Sequence, residues 1–244
     1  LAVAPSAFGE LTQNGDLFVR FDGGISPRAL PRKSLAPISV RIEGEIKVPA
    51  GSHPPSLRRI RIALNRGGHL SSRGLPVCHE DQIDPATPSE ALAACGPALV
   101  GAGGIVAKTA FPDQAASILR GEILLFNGVV HGRPAILAHI FQSNPAPTTR
   151  IVVFRISRAG GDFGTVITGQ IPASLNANGY LTSIFLQLER RYVVHGRPRT
   201  YLSASCPAPS GFPGATFPFA RASMTFDDGR TLSSTLIRSC KVSK

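Results

Sequence analysis

The stretch Glu122–Gln142, EILLFNGVVHGRPAILAHIFQ, narrows the folds open to this chain more than any other. Two apolar runs, Ile123–Val130 and Ala135–Phe141, flank His131-Gly132-Arg133-Pro134. Strands covered on both faces read as such runs, while the Gly and Pro supply the reversal between them. The hexapeptide VVHGRP recurs at Val193–Pro198, between Leu186–Tyr192 and Thr200–Ala204. Outside it the two copies agree almost nowhere, since Phe126 aligns with Arg190 and Ile136 with Thr200. One turn chemistry is used twice, without a duplicated domain behind it. Both copies predict hairpins packed into an antiparallel β core.

The rest of the chain follows the same plan. Ile38, Val40, Ile42, Gly44, Ile46 and Val48 alternate with Ser39, Arg41, Glu43, Glu45 and Lys47, which gives one buried and one charged face. Gly44 marks a candidate bulge. Arg59–Leu64 alternates again with its arginines outward, and PAGSHPPS (Pro49–Ser56) between them predicts a hairpin. Leu17–Phe21 reads as a strand ending at a turn, Asp22-Gly23-Gly24. Further strands are expected at Leu99–Ala110, Arg150–Ser157, Gly164–Ile171, Tyr180–Glu189, Arg221–Phe226 and Thr231–Cys240. Gly101-Ala102-Gly103-Gly104 lacks the spacing, following helix and downstream acid of a dinucleotide loop. One short helix is signalled by Thr87-Pro88-Ser89-Glu90, a capping box with Pro at the first helical position, and Gly96 is its expected stop. Many short strands and one small helix predict an all-β antiparallel sandwich over residues 9–244. Ser143–Thr149 (SNPAPTT) is where the chain would divide if it formed two packed halves.

Compartment is read from the cysteines and the first residues. Leu1–Ala7 resembles the end of a secretory leader, so residues 1–8 are set aside as a leader remnant or tail. Cys78, Cys95, Cys206 and Cys240 allow three pairings that sequence cannot separate; closing local loops favours Cys78–Cys95 and Cys206–Cys240. No CxxC occurs and no cysteine sits at zinc-finger spacing from two histidines, so no metal or other cofactor is expected. No apolar run approaches the roughly 18 residues that span a bilayer as a helix. A secreted or cell-surface location follows as the expectation.

The net charge is +11 over 244 residues, and it is uneven: residues 1–149 carry 14 basic and 11 acidic side chains, residues 150–244 carry 12 and 4. A basic surface attracts anionic polymers, although 21 of the 26 basic residues are arginine, which a GC-rich genome also produces. The candidate binding residues are His131, Arg133, His195 and Arg197, which would form one cationic cluster if the two hairpin tips met. The alternative is that His-Gly-Arg-Pro is simply a competent polar turn. Glu80, Asp81 and Asp84 lack the further oxygen ligands of a calcium loop. His139, among large aliphatics, reads as a hydrogen-bonded core histidine. There is no GxSxG elbow, and no acid pair has a reason in the sequence to converge, so no catalytic residue is assigned. Phe212, Phe217 and Phe219 either plug the end of the sandwich or form a patch, and the plug is favoured.

GLPVC (Gly74–Cys78) with ALAAC (Ala91–Cys95), FNGVVHGRPAILAHI (Phe126–Ile140) and YLSASCPAPSGFPGATFPFARAS (Tyr201–Ser223) together resemble a family of uncharacterised exported proteins of high-GC Gram-positive bacteria. The resemblance runs from about Leu30 to the C-terminus. It implies export, an arginine bias and structural cysteines, and it carries over no functional residue. The expected role is non-catalytic: binding or structural work at the cell surface, with an anionic polymer or another protein as partner and nucleic acid disfavoured. The alternatives are a hydrolase or lyase acting on an envelope component, and a self-assembling extracellular subunit.

Overall fold

The computed structural model describes residues 9–109, 117–144, 146–173 and 179–243, so the leader-like residues 1–8 lie outside it, as does Pro145 in the expected linker. Of the described residues 63% lie in strands and 7% in helices, which makes the fold all-β with one short helix. A single sheet of thirteen strands runs in the spatial order β1 (Glu10–Asn14), β2 (Leu17–Ser26), β5 (Ser39–Lys47), β13 (Gly179–Leu188), β8 (Leu99–Thr109), β9 (Ile118–Val130), β10 (Arg133–Gln142), β11 (Thr148–Arg158), β12 (Phe163–Gln170), β6 (Leu57–Asn65), β17 (Gly214–Phe226), β18 (Thr231–Val242) and β3 (Ala29–Leu30). Every pairing is antiparallel except the two-residue contact of β3 with β18. In this order β10 separates two five-stranded walls, β2–β5–β13–β8–β9 and β11–β12–β6–β17–β18. Their inward residues share one core: Val19, Phe21 and Val40 from the first wall join Ile62, Val152, Met224 and Leu236 from the second. The two layers of the sandwich are therefore continuous with each other.

The free ends of the sheet meet along a seam held by side chains. β1 pairs only with Leu17–Phe21, so among the described residues no strand lies beyond the upper edge of β2. There the buried Arg238 of β18 donates to the Gly23 carbonyl (2.6 Å) and to the Asp22 carboxylate. At the lower end Arg230 donates to the Asn14 carbonyl and to Asp16. Guanidinium forks thus take the place of part of the missing ladder.

A second layer lies outside the sheet. Helix α1 (Pro88–Cys95) is capped by Thr87, whose backbone N–H donates to Glu90 Oε2 (2.8 Å), a bond that holds the Glu90 carboxyl below its ordinary pKa. The Cys78–Cys95 bridge ties the helix to Cys78, which forms a β-bridge with Gly128 of β9. Ile83, Ala91 and Ala98 then cover Leu124, Phe126 and Leu137, which is why β9 and β10 are apolar on both sides. His139 lies at the same depth, fully buried, with Nε2 2.8 Å from the Ala86 carbonyl. At the upper end of the sandwich β4 (Ala36–Pro37), β16 (Leu202–Ala204) and β7 (Gly68–Leu70) make a three-stranded cap over a buried Tyr201, whose phenol burial pushes far above its usual pKa. Cys206–Cys240 fastens this cap to β18. The bridges close loops with separations of 17 and 34 residues. By loop-closure entropy they contribute about 3 and about 4 kcal/mol. No helix among the described residues is long and apolar enough to cross a membrane.

Several local expectations change. β5 and β6 do not pair across Pro49–Ser56: β5 lies between β2 and β13, and β6 between β12 and β17. A connection with three prolines and no tight-turn dipeptide carries the chain from one wall to the other instead of reversing it. Asp22-Gly23-Gly24 lies inside β2 and is no turn; a Cβ at Gly23 would stand 2.6 Å from the Arg41 carbonyl, so glycine serves close strand approach there. Gly44 is in regular register, and the bulges occur elsewhere, as between Leu181 and Ser183 of β13. Gly96 keeps right-handed helical angles and leads into a short 3-10 turn, so it does not end the helix as a left-handed cap. The proline-rich stretch before Arg221 already belongs to β17 from Gly214 onward. Phe217 and Phe219 plug the core as favoured, whereas Phe212 is 60% exposed.

Candidate functional site

Both VVHGRP copies form two-residue hairpin turns of the same kind. His131 and Gly132 have φ of 50° and 72°, His195 and Gly196 have 49° and 74°, and Val130 pairs with Arg133 as Val194 pairs with Arg197. Positive φ at both central positions matches the twist of the flanking strands, and a histidine tolerates the first position when glycine fills the second. The first turn joins β9 to β10. The second joins β14 (Arg191–Val194) to β15 (Arg197–Thr200), a separate ribbon outside the large sheet.

The two turns leave the sandwich at the same end. Leu188, at the end of β13, pairs with Gly101 of β8, and Leu99 pairs with Phe126 of β9. The chain 71–78 crosses between the two ribbons. Tyr192 Oη donates to the Ser71 and Arg73 carbonyls (3.2 and 3.1 Å), and Asn127 Nδ2 donates to the Pro76 carbonyl (2.8 Å). His131, Arg133, His195 and Arg197 are all exposed, and among the described residues no hydrogen bond or ion pair links one tip to the other. The four residues share an end of the molecule and stand on separate supports.

A larger basic surface lies on the outer face of the second wall. One row of paired residues crosses all five strands: Arg155, Thr168, Arg61, Ser223 and Ser233. The rows beside it carry Gln170, Arg59, Thr225 and Thr231 on one side, and Ser157, Arg221 and Thr235 on the other. These positions point outward because their neighbours Val152, Ile62, Met224 and Leu236 fill the core. Arg59 and Arg61 are about 7 Å apart along β6, and Arg155 is about 10 Å from Arg61 across two strand spacings.

This face has no counter-charge of its own, since β11, β12, β6, β17 and β18 contain no aspartate or glutamate. Two of its arginines are oriented by neutral groups. With its amide assigned so that the oxygen faces Arg59, Gln170 accepts from Arg59 Nε and Nη2 (2.9 and 3.1 Å). Arg221 lies over the Phe163 ring (5.0 Å to its centre) and donates to Thr235 Oγ1 (3.1 Å). Among the described residues no ion pair engages Arg59, Arg61, Arg155 or Arg221. The heads are placed while their charge stays uncompensated. Arg133 continues the surface, two residues beyond the Ala135–Arg155 pair.

Sequence reasoning turned Arg59 and Arg61 outward and recognised the charge excess after residue 150, but did not join them to Arg155 and Arg221. A signal was present, because five strand-like stretches without any acid are unusual in a chain with 15 of them. Other chemistry is sparse. Among the described residues no group of three His, Cys, Asp or Glu side chains could hold a metal ion. No protein-family model, curated protein or solved structure matches the chain.

Proposed function

We propose that this protein works outside the cytoplasm as a non-catalytic binder of an anionic polymer, such as an acidic polysaccharide of the cell envelope, and that the outer face of β11–β12–β6–β17–β18 is its contact surface. The observation that carries the reading is the set of four outward guanidiniums without a carboxylate among their strands. Burying or pairing charge is the ordinary route to a quiet sheet face, and a face that leaves its arginines free keeps a standing attraction for anions. Guanidinium forks suit carboxylate, sulfate and phosphate oxygens, and the interleaved Ser and Thr hydroxyls add neutral hydrogen bonds along a chain-like ligand. Two disulfides within a small chain favour an oxidising compartment. Arg133 and His131 would extend the contact at one corner, with His195 and Arg197 beyond the 71–78 crossing.

The test is equilibrium binding to polygalacturonate and to heparin as salt rises from about 50 to about 500 mM. Binding should weaken steeply and log-linearly with salt, because released counterions drive it. Affinity for neither polymer at low salt, with specific capture of a protein partner instead, would overturn the polymer reading.

A further inference from the structure

We propose that a trough on the outer face of the first wall, separate from the arginine face, is a binding site for a neutral oligosaccharide. It encloses about 500 Å³ and crosses β2, β5, β13, β8 and β9. Two outward rows build it. In one, Arg20, Glu45, Ser183, Val106 and Arg120 pair in succession; in the other, Asp22, Glu43, Phe185 and Gly104 do. Small groups at the centre, Ser183 and Gly104, make the floor, and Phe185 rises beside them 40% exposed. The Arg41 guanidinium lies over the ring at 5.5 Å without lining the trough, which Phe185 itself lines.

The chemistry of the rim selects the ligand class. Charges here balance: Arg20 pairs with Asp22 at 4.0 Å, Lys47 with Glu45 at 2.9 Å and Arg41 with Glu43, while Arg120 and Glu122 on β9 add one charge of each sign. A matched rim gives no net pull on a polyanion, yet it offers fixed carboxylate acceptors and guanidinium donors to hydroxyl groups. An exposed aromatic ring beside a floor of small groups suits the C–H face of a pyranose. An extended peptide is a poorer fit, because these strands spend their backbone N–H and C=O groups on the ladders that surround the trough. Five strands span about 19 Å, room for a few linked sugar rings. At the far end Arg120 has no ion-pair partner among the described residues and is a free donor for the terminal ring.

The test uses the whole chain on an array of neutral oligosaccharides (cello-, xylo-, malto-, manno- and chito-series), followed by calorimetry on the best series. One series should bind with an affinity indifferent to salt. Phe185→Ala and the trough-filling Ser183→Leu should each weaken it about tenfold or more, with unchanged circular dichroism. Arg61→Gln/Arg155→Gln should leave it intact while reducing binding to heparin. No binding by any series would overturn the proposal. So would binding that falls with salt, or that survives both trough variants. Loss of heparin binding alone would bear on the arginine face and leave this site standing.

Discussion

The two walls of the sandwich are built alike, each five antiparallel strands with one face in a common core, and they treat charge in opposite ways. On β2–β5–β13–β8–β9 three of the five cations, Arg20, Arg41 and Lys47, each sit beside a carboxylate on the same face. On β11–β12–β6–β17–β18 the outward arginines Arg59, Arg61, Arg155 and Arg221 alternate with Ser, Thr and Gln and make no ion pair among the described residues. Packing cannot account for the difference, because the inward faces are apolar in both walls. A sheet face therefore needs no ion pairs to be stable, and an unmatched one says something about what it meets.

The two walls share one core and are joined at their free ends, and that seam is where the body is most easily broken. Arg238 is 7% exposed and is shared between the Gly23 carbonyl and Asp22. Arg238→Ala would leave Asp22 with only its longer ion contact to Arg20, unpair the Gly23 carbonyl and reopen the edge of β2, at a cost of about 3 kcal/mol. Urea unfolding should keep a single transition at a lower midpoint. Two separated transitions would mean that the walls fold independently and that their contrast is one between neighbours.

A smaller effect locates the binding. Arg61→Gln/Arg155→Gln and Arg41→Gln/Lys47→Gln remove the same net charge from different walls. The first pair should weaken heparin binding about tenfold at low salt and reduce the salt slope by about two. The second should leave both nearly unchanged. Equal losses would show that net charge alone is read, and the distinction between the walls would lose its functional meaning.

What could be read from the chain in advance divides along physical lines. Alternation at Ile38–Val48 told which side chains point inward, because period two is a local property of a strand. It could not tell that β5 lies beside β13, more than 130 residues on, so the expected hairpin with β6 was wrong. Asp22-Gly23-Gly24 misled for a related reason: glycine marks both turns and close strand approach, and only the neighbouring Arg41 carbonyl separates the two. The capping box at Thr87 and both His-Gly turns were local chemistry and came through intact. The arginine face did not, because its members come from β6, β11 and β17 and become neighbours only through strand order.

The smallest prediction is the most direct probe of the contrast, since its sign should reverse between the walls. Lys47 and Glu45 form an exposed pair, with side chains 66% and 37% accessible. Lys47→Gln should lower stability by up to about 0.5 kcal/mol, the ordinary worth of such a contact. Arg61 stands among other cations and makes no ion pair among the described residues, so Arg61→Gln should relieve repulsion and raise stability by about a similar few tenths of a kcal/mol. The Arg61 effect should fade above about 0.5 M salt, where charges more than a few ångströms apart are largely screened, while the 2.9 Å Lys47–Glu45 contact should weaken less. Chemical denaturation in urea, which adds no ionic strength, can resolve the two signs. If Arg61→Gln also destabilised, the guanidinium would have a structural use, and the arginines of the second wall would need no ligand to explain them.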